Sequence, residues 1–210
     1  MNKYAKVTAG LVGAWFALSL TASALHLFRS SPNAPPLALG LAASTPIVAF
    51  AIWFSVSPGL RQFILSLSPR ILTMVHSWRV MGFVFLVLAA YGILPRAFAL
   101  PAGLGDIAIG ATASFVALKL ASPNHRTIFI VWQVLGIVDL VTAVTLGTLV
   151  PLIDPHAIST AAMSVLPLSL IPTFVVPLLL ILHVICIVQA TKWPSPQRAE
   201  IGEQLRSPAA

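Results

Sequence analysis

A chain of 210 residues that is 58% hydrophobic and only 8% charged has too little polar side chain to cover a water-facing surface, because soluble domains carry roughly 25% charged residues. Its mean hydropathy of +0.97 excludes an ordinary soluble enzyme or binding module. The net charge of +7 comes from basic residues scattered singly at the ends of apolar stretches; no cluster can track a phosphate backbone, which excludes nucleic acid as a partner.

The apolar stretches are continuous and about 20 residues long, so in hydrocarbon they read as helices and not as strands of a barrel. Six stand out: Ala5 to Phe28, Pro36 to Val56, Ile71 to Leu94, Pro101 to Leu120, Thr127 to Val150 and Leu166 to Ala190. The fold class expected is an all-α polytopic membrane bundle of six transmembrane helices, one domain over residues 1–191. A polar, Pro-containing tail over 192–210 is expected to be disordered. The single cysteine, Cys186, lies inside an apolar run, so no intrachain disulfide forms.

Charge orients the bundle. With the N-terminus cytoplasmic, the inner segments hold Lys3, Lys6, Arg61, Arg70, Lys119, Arg126, Lys192, Arg198 and Arg206, and the outer loops only Arg29 and Arg96. The last outer loop, 150–165, has no Lys or Arg and carries Asp154. Nine against two is a positive-inside bias that places both termini in the cytoplasm. No organelle signal is apparent, so a bacterial-type inner (plasma) membrane is the expected location. The first segment has a rival reading as a secretory signal, with Lys3 and Lys6 before an apolar run and Thr21-Ala-Ser-Ala24 as a small-residue cleavage site. The apolar run continues past Ala24 and exceeds the usual ~7–15-residue signal core, which favours a retained helix.

Charges within hydrocarbon need a reason. Arg79 lies nine residues from the inner end of the third segment, roughly 13 Å deep at 1.5 Å per residue; Asp139 lies twelve residues along the fifth, roughly 18 Å deep. Asp106 is expected five residues in from the outer end of the fourth segment, in or near its first turn, where Gly103 and Gly105 free the backbone and a carboxylate meets the positive end of the helix dipole. Re-entrant or unwound backbone is an alternative for this stretch, and close helix packing through Gly103, Gly105 and Gly110 is its expected role. Arg79 is placed to pair with Asp139 and with Asp106. His76 shares a helical face with Arg79 at i, i+3. In the fifth segment Gln133, Gly136 and Asp139 step by three along one stripe. Pro172 and Pro177 bend the sixth segment.

His76 and His183 fall at matched depth, near 9 Å from the inner boundary by helical rise. Such a pair can ligate a b-type haem from both sides or feed a proton relay. His26, His125 and His156 show no metal-ligand spacing and read as surface residues. No nucleophile elbow, zinc-protease motif, P-loop or Cys pair is present, so no catalytic residue is assigned. Three functions follow: a small transport or permeation protein with Arg79, Asp106, Asp139 and His76 at its polar centre; a haem-binding membrane redox protein using His76 and His183; or a structural or assembly partner whose charges lock the bundle. The partners expected are the lipid bilayer, a small molecule or ion, and a further copy of the chain.

Overall fold

A computed structural model describes residues 3–29, 36–153 and 158–194. All regular structure among them is helical: α1 (Lys3–Ala24), α2 (Leu37–Val56), α3 (Pro58–Leu65), α4 (Pro69–Ala90), α5 (Arg96–Leu120), α6 (Pro123–Val150) and α7 (Ile171–Thr191). Six of these, all but α3, are long and apolar enough to cross a bilayer. Large apolar side chains lie bare on the outside, among them Leu18 at 70%, Val56 at 71% and Trp78 at 68% exposure, a surface that only an apolar solvent tolerates. The expectations for the tail, Asp154 and His156 fall outside the described residues.

Successive long helices run in alternate directions. One face, here called the termini face, carries the start of α1 and the end of α7; there Tyr4 packs on Gly59 and Phe129 on Trp193, ring centroids 5.2 Å apart. On the opposite face Phe98 packs against Phe85 and Gly147, and Thr160 donates to the Gly147 carbonyl at 2.9 Å.

The short helix α3 was not expected. Its start is nonetheless written in the chain: Ser57 accepts from Leu60 N–H at 3.3 Å as N-cap, and Pro58 takes the first turn, where its missing N–H costs nothing. Leu60 and Ile64 bury its apolar side. Its last carbonyls are served by Gln189 of α7, whose Nε2 donates to Leu67 O at 2.7 Å and reaches Ile64 O at 3.3 Å. Arg61 does the same for α2, donating from Nε to Phe54 O at 3.1 Å.

Several boundaries differ from the expected ones, among them the end of α1 at Ala24 in place of Phe28. Helix α4 begins at Pro69 and ends at Ala90. The last long helix begins at Ile171, and Leu166 to Leu170 form turns before it. The largest change is in α5, which starts at Arg96 and not at Pro101, because Pro95 in extended conformation (ψ 134°) is the real break and Pro101 rides inside the helix. Asp106 therefore stands ten residues into α5, roughly 15 Å from its start, and not in the first turn at the helix dipole. The backbone around Gly103 and Gly105 is regular α-helix, neither a helix start nor an unwound segment.

Two local departures from α geometry matter. Residues His76–Gly82 of α4 wind as a 3₁₀ helix. Three residues per turn align His76, Arg79 and Gly82 in one row, and all three are buried. Ile171–Val175 of α7 forms a π turn. The Thr173 carbonyl has no i+4 donor because that residue is Pro177; Trp15 Nε1 donates to it at 3.0 Å and Ser19 Oγ at 3.4 Å, which ties α1 to α7.

The tightest seam is α4 against α5. A Cβ on Gly110 would strike the backbone nitrogen of Val80, and one on Gly82 would strike Asp106. Above and below this seam lie two apolar clusters: Leu60, Phe129, Trp132 and Cys186 toward the termini face, and Phe85, Leu94, Phe98 and Met163 toward the other. The buried charges sit between them. Because backbone cannot yield as a side chain can, Gly110→Val should lower the thermal midpoint in detergent, with a cost of about 1–3 kcal/mol. Gly13→Val, with nothing within 4 Å of the new Cβ, should leave it unchanged.

Candidate functional site

Four helices bring one side chain each, or more, to the middle of the bundle. Arg79 comes from α4, Asp106 from α5, Gln133 and Asp139 from α6, and His183 from α7. The Arg79 side chain is 1% exposed. Its Nε donates to Asp106 Oδ1 at 2.6 Å, and its Nη2 donates to Asp139 Oδ2. Its Nη1 donates to Gly136 O at 3.3 Å and lies 3.2 Å from His183 Nε2. Four hydrogen bonds on one guanidinium offset much of the cost of taking that charge out of water.

Arginine has no acceptor, and that fixes the direction of everything beyond it. His183 Nε2 must accept from Arg79, so the ring proton sits on Nδ1 and is donated to Gln133 Oε1 at 2.5 Å. The Gln133 amide then donates to Thr73 Oγ1 at 3.1 Å, and the Thr73 hydroxyl lies 3.8 Å from Cys186 Sγ. His183, Gln133, Thr73 and Cys186 are all fully enclosed. This chain is a scaffold for Arg79, one donor after another holding the next.

Small residues make room for it. The Asp139 carboxylate occupies the space a Cβ on Gly105 would need, and the His183 ring occupies that of Gly136. The stripe Gln133, Gly136, Asp139 thus presents in turn an amide, a gap and a carboxylate to the centre.

Charge does not balance there. Two carboxylates face one guanidinium, so with both ionised the cluster carries one negative charge in excess. The two carboxylates are also the accessible members: the Asp106 side chain is 19% and that of Asp139 16% exposed. Asp106 lines a cleft of about 380 Å³ that runs toward the face opposite the termini, between α2, α5, α6 and α7.

His76 reaches the same place but joins differently. Its ring stacks on His183 with centroids 3.8 Å apart and planes at 24°, and meets Trp132 edge-on at 6.0 Å. A haem between these histidines needs both rings to aim a nitrogen at an iron in the gap. Here the rings lie face to face, and both nitrogens of His183 are engaged by Arg79 and Gln133. The pair does not fit a bis-histidine haem, so that expectation is set aside. The link from Arg79 to His183 gives a proton relay no support, because His183 accepts there from a guanidinium that keeps its protons. His26 and His125 are exposed and remote from the centre.

Thr73, Trp132 and Cys186 belong to the site and were not assigned to it from the sequence, because neutral side chains in an apolar run carry no signal until their partner is known. The i, i+3 offset from Thr73 to His76 was the available clue.

Removing one member of this cluster should cost far more than removing all of its charge. Arg79→Met leaves two carboxylates facing each other without a cation and should destabilise the bundle by about 3–5 kcal/mol. The triple variant Arg79→Met/Asp106→Asn/Asp139→Asn should recover most of that loss, as read by thermal unfolding in detergent.

No curated protein and no solved structure matches the chain significantly. The model of one protein family, described as "Domain of unknown function (DUF8737)", matches residues 36–191, from the start of α2 to the end of α7, and so includes every residue of the polar centre. With well over half of its 210 residues matched, the chain belongs to this family.

Proposed function

We propose that the protein is a small transport or permeation protein of a bacterial-type inner membrane, with both termini in the cytoplasm, and that Arg79, Asp106 and Asp139 form the centre where it holds an ion or charged solute. The observation that carries this reading is the unequal exposure of the cluster. The guanidinium is sealed in, while the carboxylates keep contact with open space and Asp106 lines the cleft. A pair that served only to lock helices would enclose both partners and balance its charge. This one offers a surplus negative charge to a cavity, and intramembrane charges that face cavities mark ion and substrate paths.

Orientation rests on the positive-inside rule. Lys3, Lys6, Arg61, Arg70, Lys119, Arg126 and Lys192 lie toward the termini face, and Arg29 and Arg96 toward the other. In that orientation the cleft faces outward. His76 adds bulk and polarity beside the centre through its stack on His183 and takes no part in the hydrogen-bond chain. The reading as an architectural lock draws support from one fact: four hydrogen bonds satisfy Arg79 within the protein.

Flux separates the two. In proteoliposomes carrying ion- or proton-sensitive dyes, the wild-type chain should dissipate an imposed cation or proton gradient, and Asp106→Asn should slow this on the order of tenfold or more. Equal rates for wild type, Asp106→Asn and empty vesicles would leave the lock as the better reading. Topology is checked separately with an impermeant maleimide. Ser159→Cys should react in spheroplasts, whereas Lys192→Cys should react only after the membrane is opened.

A further inference from the structure

The cleft beside Asp106 has a chemistry of its own. Its walls are mostly aliphatic, from Leu37, Leu41, Leu140 and Val176. Its volume, about 380 Å³, lies within the ~300–1,000 Å³ of small-molecule sites. Among the described residues Asp106 is the one ionisable side chain that lines it, with no Lys, Arg or His beside it. Phe85 and Phe98 also line it, packed edge to face with centroids 5.6 Å apart at 70°.

Three of the four hydroxyls on its wall already spend their protons inside the protein, and the fourth, Ser159, accepts from Ala161 N–H at 3.1 Å. Thr148 donates to Val144 O at 2.9 Å, Thr160 to Gly147 O at 2.9 Å and Ser164 to Ala161 O at 2.7 Å. What these three still present to the cleft is lone pairs. Among the described side chains an anion would meet a carboxylate and, as donor, only the Ser159 hydroxyl. A neutral apolar molecule would leave the surplus negative charge unanswered. A small hydrated metal ion would waste the aliphatic walls.

Resting on the reading of the charge cluster as a ligand centre, we infer that this cleft takes an organic monocation, a protonated or quaternary ammonium group carried on an apolar body. The ammonium sits at the Asp106 carboxylate and supplies the second positive charge that the Arg79–Asp106–Asp139 cluster lacks. The aromatic pair adds to the apolar wall. The apolar body replaces lipid or water against the aliphatic walls.

The test is equilibrium binding to the full chain in phosphatidylcholine nanodiscs, whose zwitterionic lipid does not itself collect cations. The probes are benzyltrimethylammonium and neopentylbenzene, which share a shape and differ by the charge, with benzenesulfonate as the anion. The cation should bind about tenfold or more tightly than its neutral isostere, the scale of a desolvated charge contact, and the anion should not bind. Asp106→Asn should erase the preference while neopentylbenzene still binds, which also shows that the variant is folded. Ala143→Phe, which fills the cleft from α6 and leaves every charge in place, should block both. Equal affinity for cation and isostere would overturn the proposal and make the cleft a plain apolar pocket, as would cation binding that survives either substitution. Binding without flux would refute transport and leave this site standing; proton or metal-ion flux without ammonium binding would do the reverse.

Discussion

One guanidinium between two carboxylates, in the middle of a bundle whose outside is hydrocarbon, is the constraint to which the rest of this structure answers. A charge at that depth is tolerated only when every strong hydrogen-bonding direction around it is met. The fold meets them from four helices at once. The 3₁₀ winding of α4 brings Arg79 into line with His76 and Gly82; glycines at 105 and 136 clear the space for Asp139 and His183; the amide of Gln133 fixes His183 from behind. None of these features stabilises anything alone. A 3₁₀ stretch has poorer hydrogen-bond geometry than the α-helix around it, and glycine inside a helix costs up to about 1 kcal/mol against alanine. Their use lies in what they let approach.

The arrangement is also directional. Arg79 cannot accept a hydrogen bond and keeps its protons, so the chain running from it through His183 and Gln133 to Thr73 has a fixed sense and lends no support to a proton route toward the termini face. Below the guanidinium the bundle is closed by Phe129, Trp132 and their neighbours. Above it the Asp106 carboxylate lines the cleft. The centre thus has an open side and a sealed side. Under the proposed transport function, passage between the two faces would require α4 or α7 to change shape, and those helices hold the 3₁₀ stretch and the π turn Ile171–Val175.

The broad plan was legible in the sequence because hydrocarbon imposes it. Runs of twenty apolar residues and a shortage of charge leave few alternatives, and the three intramembrane charges announce themselves by being costly. The spacing of Gln133, Gly136 and Asp139 placed them on a single stripe, and all three reach the centre. Local errors came where two signals competed. Pro95 and Pro101 both resemble helix starts, and the glycines at 103 and 105 made the later one more attractive; packing against Gly82 and Asp139 explains those glycines, and the earlier proline starts the helix. The depth match of His76 and His183 was real, but depth says nothing about ring orientation, and it is the stacked orientation that rules out a shared iron. The helix α3 was hidden by its length: eight residues are too few to stand out against neighbouring spans of twenty or more.

The weakest wall of the cleft bears on how anything reaches it. Helix α2 buries no residue fully, although it is one of the most apolar elements in the chain and its first turns line the cleft. Its Arg61 and Ser57 contacts secure it at the termini face, far from those turns. An element with no fully buried residue opens more cheaply than the better-buried helices around it. Its first turns form the cleft wall together with the elements that hold Asp106. A solute with an apolar body, already dissolved in the bilayer, therefore meets a shorter barrier than a hydrated ion arriving from water, because it need displace only one lightly held helix and gives up no hydration shell until its charge reaches the carboxylate.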